Sequence, residues 1–119
     1  MPLLAKVSFP DQEVEDFRFS PQECRLEIRM SGAWLDVEGG LELGASLLVI
    51  GGWTGTQART YDPGRGTWEE QALPTALRDL CEAEFSEELV VLRGFTKDTG
   101  LWTELGVTHA STLELQVGD

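Results

Sequence analysis

The chain has 119 residues and a mass of 13.1 kDa, which is the size of one domain. Its 21 acidic residues outnumber 9 basic ones, and the formal net charge of −12 would repel a phosphate backbone. We therefore predict a single domain over residues 1–119 that does not bind nucleic acid directly. The charge favours a basic protein partner, or simply solubility.

Alternation of apolar and polar residues predicts several strands in the first half of the chain. Residues 3–9 alternate loosely, residues 24–30 alternate cleanly, and residues 33–38 follow a Ser-Gly break. The acidic residues 11–16 are typical of a turn region. The continuous apolar run at residues 47–50 predicts a strand in the interior of a sheet.

The second half of the chain contains further strand patterns. A Pro/Gly turn separates the first two of them. The predicted strands are residues 58–61, 67–71, 89–95, 101–105 and 113–117.

One segment has the spacing of a helix. Its apolar residues recur every three or four positions, and they are Leu73, Leu77, Leu80, Cys81 and Phe85. Proline suits the first turn of a helix, and an Arg-Glu pair four positions apart favours one. The sequence therefore predicts an α+β fold: a mostly antiparallel β sheet with one helix near residues 75–85.

Residues that carry catalytic or metal chemistry are few. His109 is the one histidine, and Cys24 and Cys81 are the two cysteines, which we expect to be reduced and mostly buried. A zinc site usually needs more ligands of these types, and the carboxylates have no fixed ligand spacing. We predict no catalytic residue, no metal and no cofactor, with carboxylate-only catalysis as an alternative.

No leader or membrane segment is visible in the sequence. The first residues lack a basic region followed by a long apolar stretch. The longest apolar run, residues 47–50, is far below the roughly 20 residues of a spanning helix. We expect a cytoplasmic protein that does not bind a membrane.

Acidic charge is concentrated in residues 67–88, which hold seven acids and one arginine, a net charge of −6. This segment is either a solvated face or a docking surface for a basic protein, and the two readings are compatible. A tryptophan beside acids would be a binding anchor. The predicted partner-binding residues are Glu69, Glu70, Glu82, Glu87, Glu88, Asp98 and Trp102.

Residues 47–74 resemble one Kelch repeat. An apolar strand ends in Gly51-Gly52, and Tyr61-Asp62-Pro63 follows. Trp68 comes at the Kelch spacing from Tyr61, with Pro74 after it. A Kelch propeller needs several such units, and no second one matches. We take from this resemblance only antiparallel strands across residues 47–71.

Residues 79–105 resemble a pattern in small bacterial immunity proteins, which are encoded beside polymorphic or contact-dependent toxins. The shared features are a strand that ends in Gly94-Phe95, a short Lys/Gly turn at residues 96–100, and the returning Trp102. The resemblance implies a small cytosolic inhibitor that binds a toxin domain and occludes its active site.

Two other binding functions stay open at the sequence level. An acidic nucleic-acid mimic would inhibit a defence protein, and a chaperone-like accessory domain would bind a partner without inhibiting it. The identity of the neighbouring gene distinguishes these readings. The sequence does not predict the oligomeric state.

Overall fold

The computed structural model describes residues 7–8, 12–35 and 40–117. Within those ranges the backbone forms thirteen strands and no helix. The strands in chain order are β1 (Val7–Ser8), β2 (Gln12–Ser20), β3 (Arg25–Met30), β4 (Ala33–Leu35), β5 (Leu41–Leu43), β6 (Ser46–Gly51), β7 (Gly55–Asp62), β8 (Thr67–Gln71), β9 (Asp79–Leu80), β10 (Glu82–Phe85), β11 (Leu89–Phe95), β12 (Trp102–Thr108) and β13 (Thr112–Val117).

The strands form three sheets. The front sheet has the order β10-β11-β12-β7-β8, and the back sheet has the order β13-β6-β3-β2-β9. A small sheet of order β1-β4-β5 completes the described fold. The strand pairings in all three sheets are antiparallel, so the predicted antiparallel arrangement is confirmed.

The core lies between the front and back sheets. Alternate side chains of β11 and β12, such as Leu92 and Leu105, are buried in the same cluster as Leu26 and Ile28 of β3. One face of each sheet therefore supplies the core, as in two sheets that pack face to face. The opposite face of the front sheet points to solvent.

Several sequence-based strands are confirmed. The apolar run at residues 47–50 lies in β6, which is an interior strand between β3 and β13. The later predicted strands correspond to β7, β8, β11, β12 and β13. The predicted strands at residues 3–9 and 33–38 lie partly outside the described residues. In the part of each that is described, the structure shows β1 and β4.

The predicted turn region at residues 11–16 is wrong over the residues that the structure describes. Residues 12–20 form β2, which pairs with β3 along most of its length. A bulge between Val14 and Asp16 interrupts its register. The bulge breaks the alternation by which a strand is recognised in a sequence.

The α+β prediction is also wrong, because residues 75–85 contain no helix. Residues 76–85, which we call the bridging segment, are extended and include β9 and β10. The Arg78–Glu82 pair expected along a helix does not form: Arg78 lies over the ring of Phe95, and Glu82 contacts Arg93. No helix in the described residues is long and apolar enough to cross a membrane.

The bridging segment joins the two large sheets through backbone hydrogen bonds. Toward the front sheet, the N–H of Arg78 donates to the carbonyl of Phe95 at 2.8 Å. The N–H of Cys81 donates to the carbonyl of Arg93 at 2.9 Å. Toward the back sheet, the carbonyl of Arg78 accepts from the N–H of Val14 at 3.0 Å, and β9 pairs with β2. One side of the sandwich is thereby closed.

The helical spacing in this segment comes from a bulge. Leu77 is opposite Thr96 and Glu82 is opposite Arg93. Between these two pairs the bridging segment spans five positions, whereas the antiparallel chain opposite it spans only three. The two additional residues leave the front sheet and pair with β2. Side chains do not alternate within the bulge, so the buried Leu80 follows the buried Leu77 by three positions, which imitates a helix.

The cysteines occupy different places from those predicted. Cys24 lies in the turn before β3 with left-handed backbone (φ 49°), and Cys81 lies between β9 and β10. The two cysteines are not joined by a disulfide, and both are half-buried rather than mostly buried.

Gly94 of β11 faces the bridging segment where no space is left for a side chain. A Cβ at Gly94 would overlap the backbone carbonyl oxygen of Asp79 and lie 3.1 Å from its carbon. Because backbone atoms cannot turn aside, we expect Gly94→Ala to lower the free energy of unfolding by about 1–3 kcal/mol. Urea unfolding followed by tryptophan fluorescence measures this loss.

Gly106→Ala is the matched control on the neighbouring strand. A Cβ at Gly106 would point away from the core and meet Cδ1 of Leu89 at 3.6 Å, an ordinary van der Waals distance. We expect no loss of stability, since a strand glycine contributes no packing. Equal unfolding midpoints for the two variants would contradict the structural role assigned to the bridging segment.

Candidate functional site

A row of alternating charge crosses the solvent-facing side of the front sheet. We call it the charge row, and its members in order are Glu82, Arg93, Glu104, Arg59 and Glu70. Each residue is directly opposite the next in the strand register, and each of the five strands supplies one. Opposite charges in directly opposed positions stabilise neighbouring strands.

Glu104 lies at the centre of the charge row between two arginines. One carboxylate oxygen accepts from Nε of Arg93 at 2.9 Å, and the other accepts from Nε of Arg59 at 3.0 Å. Nη1 of Arg93 also lies 2.9 Å from Glu84 and 3.4 Å from Glu82. The side chains of Glu104 and Arg93 are only 20% and 24% exposed, so solvent screens this pair less than an ordinary surface ion pair.

These contacts determine the charge states at the centre of the row. Burial alone would raise the pKa of Glu104, but the hydrogen bonds from Arg93 and Arg59 outweigh it and hold that pKa below its ordinary value. The hydrogen bond to Glu104 raises the pKa of Arg93 above its ordinary value, against the effect of burial. A general acid needs a raised carboxyl pKa, so Glu104 is suited to holding the strands in register rather than to proton transfer.

A second row on the same face is aromatic. The aromatic row consists of Phe95, Trp102, Tyr61 and Trp68, each two positions along its strand from a charge-row residue, which places both rows on one face. Phe95 and Trp102 meet edge to face with ring centroids 5.1 Å apart. Tyr61 and Trp68 meet in the same way at 5.5 Å. Such pairs add packing energy beyond their buried area.

Arginines cover part of the aromatic row. The guanidinium carbon of Arg59 lies 4.2 Å from the ring centroid of Trp68, within the range of a cation–π contact. Trp68 nevertheless exposes 38% of its surface, because it lies on the outermost strand of the front sheet. It is therefore available as an anchor for a partner.

A groove of about 460 Å³ lies beside the charge row on the same face. Gly106 leaves its floor open, because no side chain stands between Val91 and Gln57 in the register. Leu89, which is 44% exposed, lines the groove together with Arg59. An apolar wall beside a charged one suits a long side chain with an apolar stem and a charged end.

Both rows derive from one hairpin pattern that occurs twice. Residues 59–70 read RTYDPGRGTWEE, and residues 93–104 read RGFTKDTGLWTE. Each has Arg-x-aromatic, then a glycine, then Trp-x-Glu at identical spacing. The glycines, Gly66 and Gly100, have φ of 67° and 69°, and each N–H donates to the carbonyl four positions earlier at 2.8 and 3.0 Å.

The sequence analysis missed Arg59, Arg93, Glu104 and Trp68. Net charge does not identify them, because the inner acid of the charge row is paired with bases. The shared spacing of the two hairpins is the signal in the sequence that would have found all four.

Three of the seven predicted partner-binding residues lie in the two rows. Trp102 belongs to the aromatic row, and Glu70 and Glu82 form opposite ends of the charge row. Three strands separate Glu70 from Glu82, a distance of about 19 Å at ordinary strand spacing. Arg93 and Arg59 lie between them, so the two acids are not parts of one continuous negative surface.

The other four predicted residues lie elsewhere. Glu69 faces the opposite side of β8, where it lines a second groove of about 260 Å³ together with Asp98. Glu87 and Glu88 are exposed in the turn between β10 and β11. The predicted helix face does not exist, and Glu82 lies instead on an edge strand.

Groups suited to metal binding or nucleophilic chemistry are dispersed. His109 lies exposed in the turn between β12 and β13, far along the chain from Cys24 and Cys81. Among the described residues, no three or more His, Cys, Asp or Glu side chains are grouped so that they could hold a metal ion.

Comparisons with known proteins do not assign a function to this chain. No family model, no curated protein and no solved structure matches the chain.

Glu104→Gln removes the central charge of the row. Because folding lowers the pKa of Glu104, its ionised form stabilises the fold, fully above the unfolded pKa of about 4.3 and less as pH falls through the lower folded pKa. We expect Glu104→Gln to lower the free energy of unfolding by about 1–2 kcal/mol at pH 7. The difference from the natural protein should shrink below about pH 4.

Glu114→Gln serves as the control, since Glu114 is exposed on β13 of the back sheet. Its effect should stay within about 0.5 kcal/mol across the same pH range. Denaturant unfolding at several pH values measures both variants. A Glu104→Gln difference that does not depend on pH would show that the carboxylate charge is not the source of the loss.

Proposed function

We propose that this protein is a non-catalytic binding module that docks a basic protein on the solvent-facing side of the front sheet, at the β8 edge. The observation that carries the proposal is the combination found there: half-exposed Trp68, exposed Glu70 and the groove over Gly106. A tryptophan anchor beside a pocket and a charge is the usual composition of a binding hot spot.

Charge supports a basic partner. Glu70 ends the charge row at the outermost strand, where a base from another molecule would continue the alternation. The net charge of −12 would attract such a partner over a distance of about a Debye length, 8–10 Å at physiological ionic strength. Electrostatic attraction of this kind raises the association rate and favours basic over acidic partners.

We further propose that the partner is a bacterial toxin domain and that this protein is its immunity protein. The resemblance at residues 79–105 supports this reading, because that stretch includes the hairpin of β11 and β12. Arg93, Trp102 and Glu104 of this hairpin belong to the charge and aromatic rows, so the resembling segment and the proposed surface overlap. The inhibitor would cover a toxin cleft that is basic because it binds an anionic substrate.

The test uses the product of the neighbouring gene, which the immunity proposal requires to be the toxin. The charge reversals Glu69→Lys and Glu70→Lys act together at the β8 edge, one on each face of the strand, and Glu70 lines the groove over Gly106. We expect the pair to slow association with the toxin by about tenfold or more at low salt. Surface-plasmon resonance at two salt concentrations measures the rates, and growth of a bacterial host that expresses the toxin measures protection.

Glu87→Lys with Glu88→Lys is the matched control, because it changes the net charge by the same four units at the turn between β10 and β11. We expect it to slow association less than about threefold and to leave protection intact. If both pairs of substitutions slowed association equally, the net charge of the protein, and not the β8 edge, would determine the association rate. A neighbouring product that is neither toxic nor bound would refute the immunity function.

A further inference from the structure

We infer that β8 accepts one additional strand from the partner protein, and that this strand carries a basic residue opposite Glu70 and an aromatic residue two positions further, opposite Trp68. The inference deepens the proposed function and rests on it. It specifies how the partner binds: by extending the front sheet from five strands to six.

The free edge of β8 is the first observation. All five residues of β8 are exposed, and β8 pairs with β7 on one side. No other strand of the described chain lies on its second side. Edge strands are commonly protected by short length, charged side chains, proline, a bulge or a covering segment. β8 has the charge of two glutamates, which would repel another acidic strand and attract a basic one.

The repeated hairpin pattern indicates what fits that edge. β12 carries Trp102-x-Glu104, and its outer neighbour β7 places Arg59 directly opposite Glu104. Tyr61 lies one position beyond the Thr60–Thr103 pair, which brings it into line with Trp102. β7 thus provides Arg-x-aromatic to a Trp-x-Glu strand.

β8 has the same Trp-x-Glu pattern as β12, in Trp68 and Glu70, at the equivalent position of its hairpin. Within the described chain, β12 has an Arg-x-aromatic strand on each side, β11 and β7, whereas β8 has one on one side only, β7. A strand of the same composition would continue both rows: a base beside Glu70 and an aromatic ring beside Trp68. The base would also lie at the groove, which Glu70 and Gln71 help to line.

A second copy of this chain does not fit the edge. Its two Arg-x-aromatic strands, β7 and β11, are interior strands with a neighbour on each side. Two β8 strands paired with each other would bring Glu69 and Glu70 of one copy close to those of the other, and like charges in cross-strand positions destabilise a sheet. The occupant is therefore a segment of a different, basic protein.

Strand addition divides affinity and specificity between two kinds of contact. Backbone hydrogen bonds along the edge supply affinity, and alternate side chains supply specificity. The inference consequently requires that both the backbone of the incoming strand and its Arg-x-aromatic side chains contribute to binding.

The probe is a cyclic β-hairpin peptide whose outer strand reads Thr-Arg-Thr-Tyr-Thr. Titration into ¹⁵N-labelled protein should shift the amide signals of β8 in a saturable way. Two further peptides carry N-methyl groups on alternate amides of that strand, one set on each side. We expect one N-methylated peptide to bind like the parent and the other not to bind, because only one set of amides faces β8.

Charge exchange tests the side-chain part. Glu70→Lys should weaken binding of the arginine peptide by about five- to tenfold, and a peptide with glutamate in place of arginine should recover binding to that variant. Glu87→Lys changes the charge equally and should leave the affinity unchanged. If the amide spectrum shows that Glu70→Lys disturbs the fold, Glu70→Gln replaces it as the test variant. We expect Glu70→Gln to weaken binding of the arginine peptide by an intermediate amount.

The outcomes separate this inference from the proposed function. The peptide assay contains no toxin, and the toxin assay needs no particular binding geometry. Absence of saturable shifts in β8, or equal binding of both N-methylated peptides, would overturn strand addition while a slowed toxin association still supported the binding module. If the peptide bound to β8 but this protein neither bound nor inhibited the toxin, the immunity function would be refuted and strand addition would still stand.

Discussion

The backbone hydrogen bonding of the bridging segment is the constraint on which the rest of the structure depends. A two-sheet sandwich has open edges, and here residues 76–85 close one side by bonding to β11 and to β2 at once. This double pairing requires Gly94, because any side chain there would overlap the backbone at Asp79. The strand at the other end of the front sheet, β8, lies far from the bridging segment.

The repeated side-chain pattern on the solvent-facing side of the front sheet explains why β8 is suited to bind a partner strand. Because the same hairpin pattern occurs at residues 59–70 and 93–104, each Trp-x-Glu strand calls for an Arg-x-aromatic neighbour. β12 has such a neighbour on each side, β11 and β7, and the central ion pairs of Glu104 result. At β8 the pattern reaches the edge of the molecule, where the same physical chemistry that holds the strands in register becomes available to a partner.

The candidate site was only partly predictable from composition. A surplus of acids pointed to Glu70, Glu82 and Trp102, which do lie on the solvent-facing side of the front sheet. Charge counting could not find Arg59 or Arg93, because cross-strand neighbours are distant in sequence and a row of alternating sign is nearly neutral. It also grouped Glu82 with Glu70, although arginines separate them, because proximity along the chain is not proximity across a sheet.

Local pattern by itself determined the antiparallel strands. Alternation or a continuous apolar run located β3, β6 and the later strands, since burial of one or both faces leaves a direct trace in the sequence. Only the tertiary structure decided the state of residues 75–85 and the length of β2. In both places a bulge disrupts the period of two, and in the bridging segment it sets Leu77 and Leu80 at a helical spacing. The extended form prevails because pairing with two sheets satisfies the backbone on both sides, which depends on partners more than ten residues away along the chain.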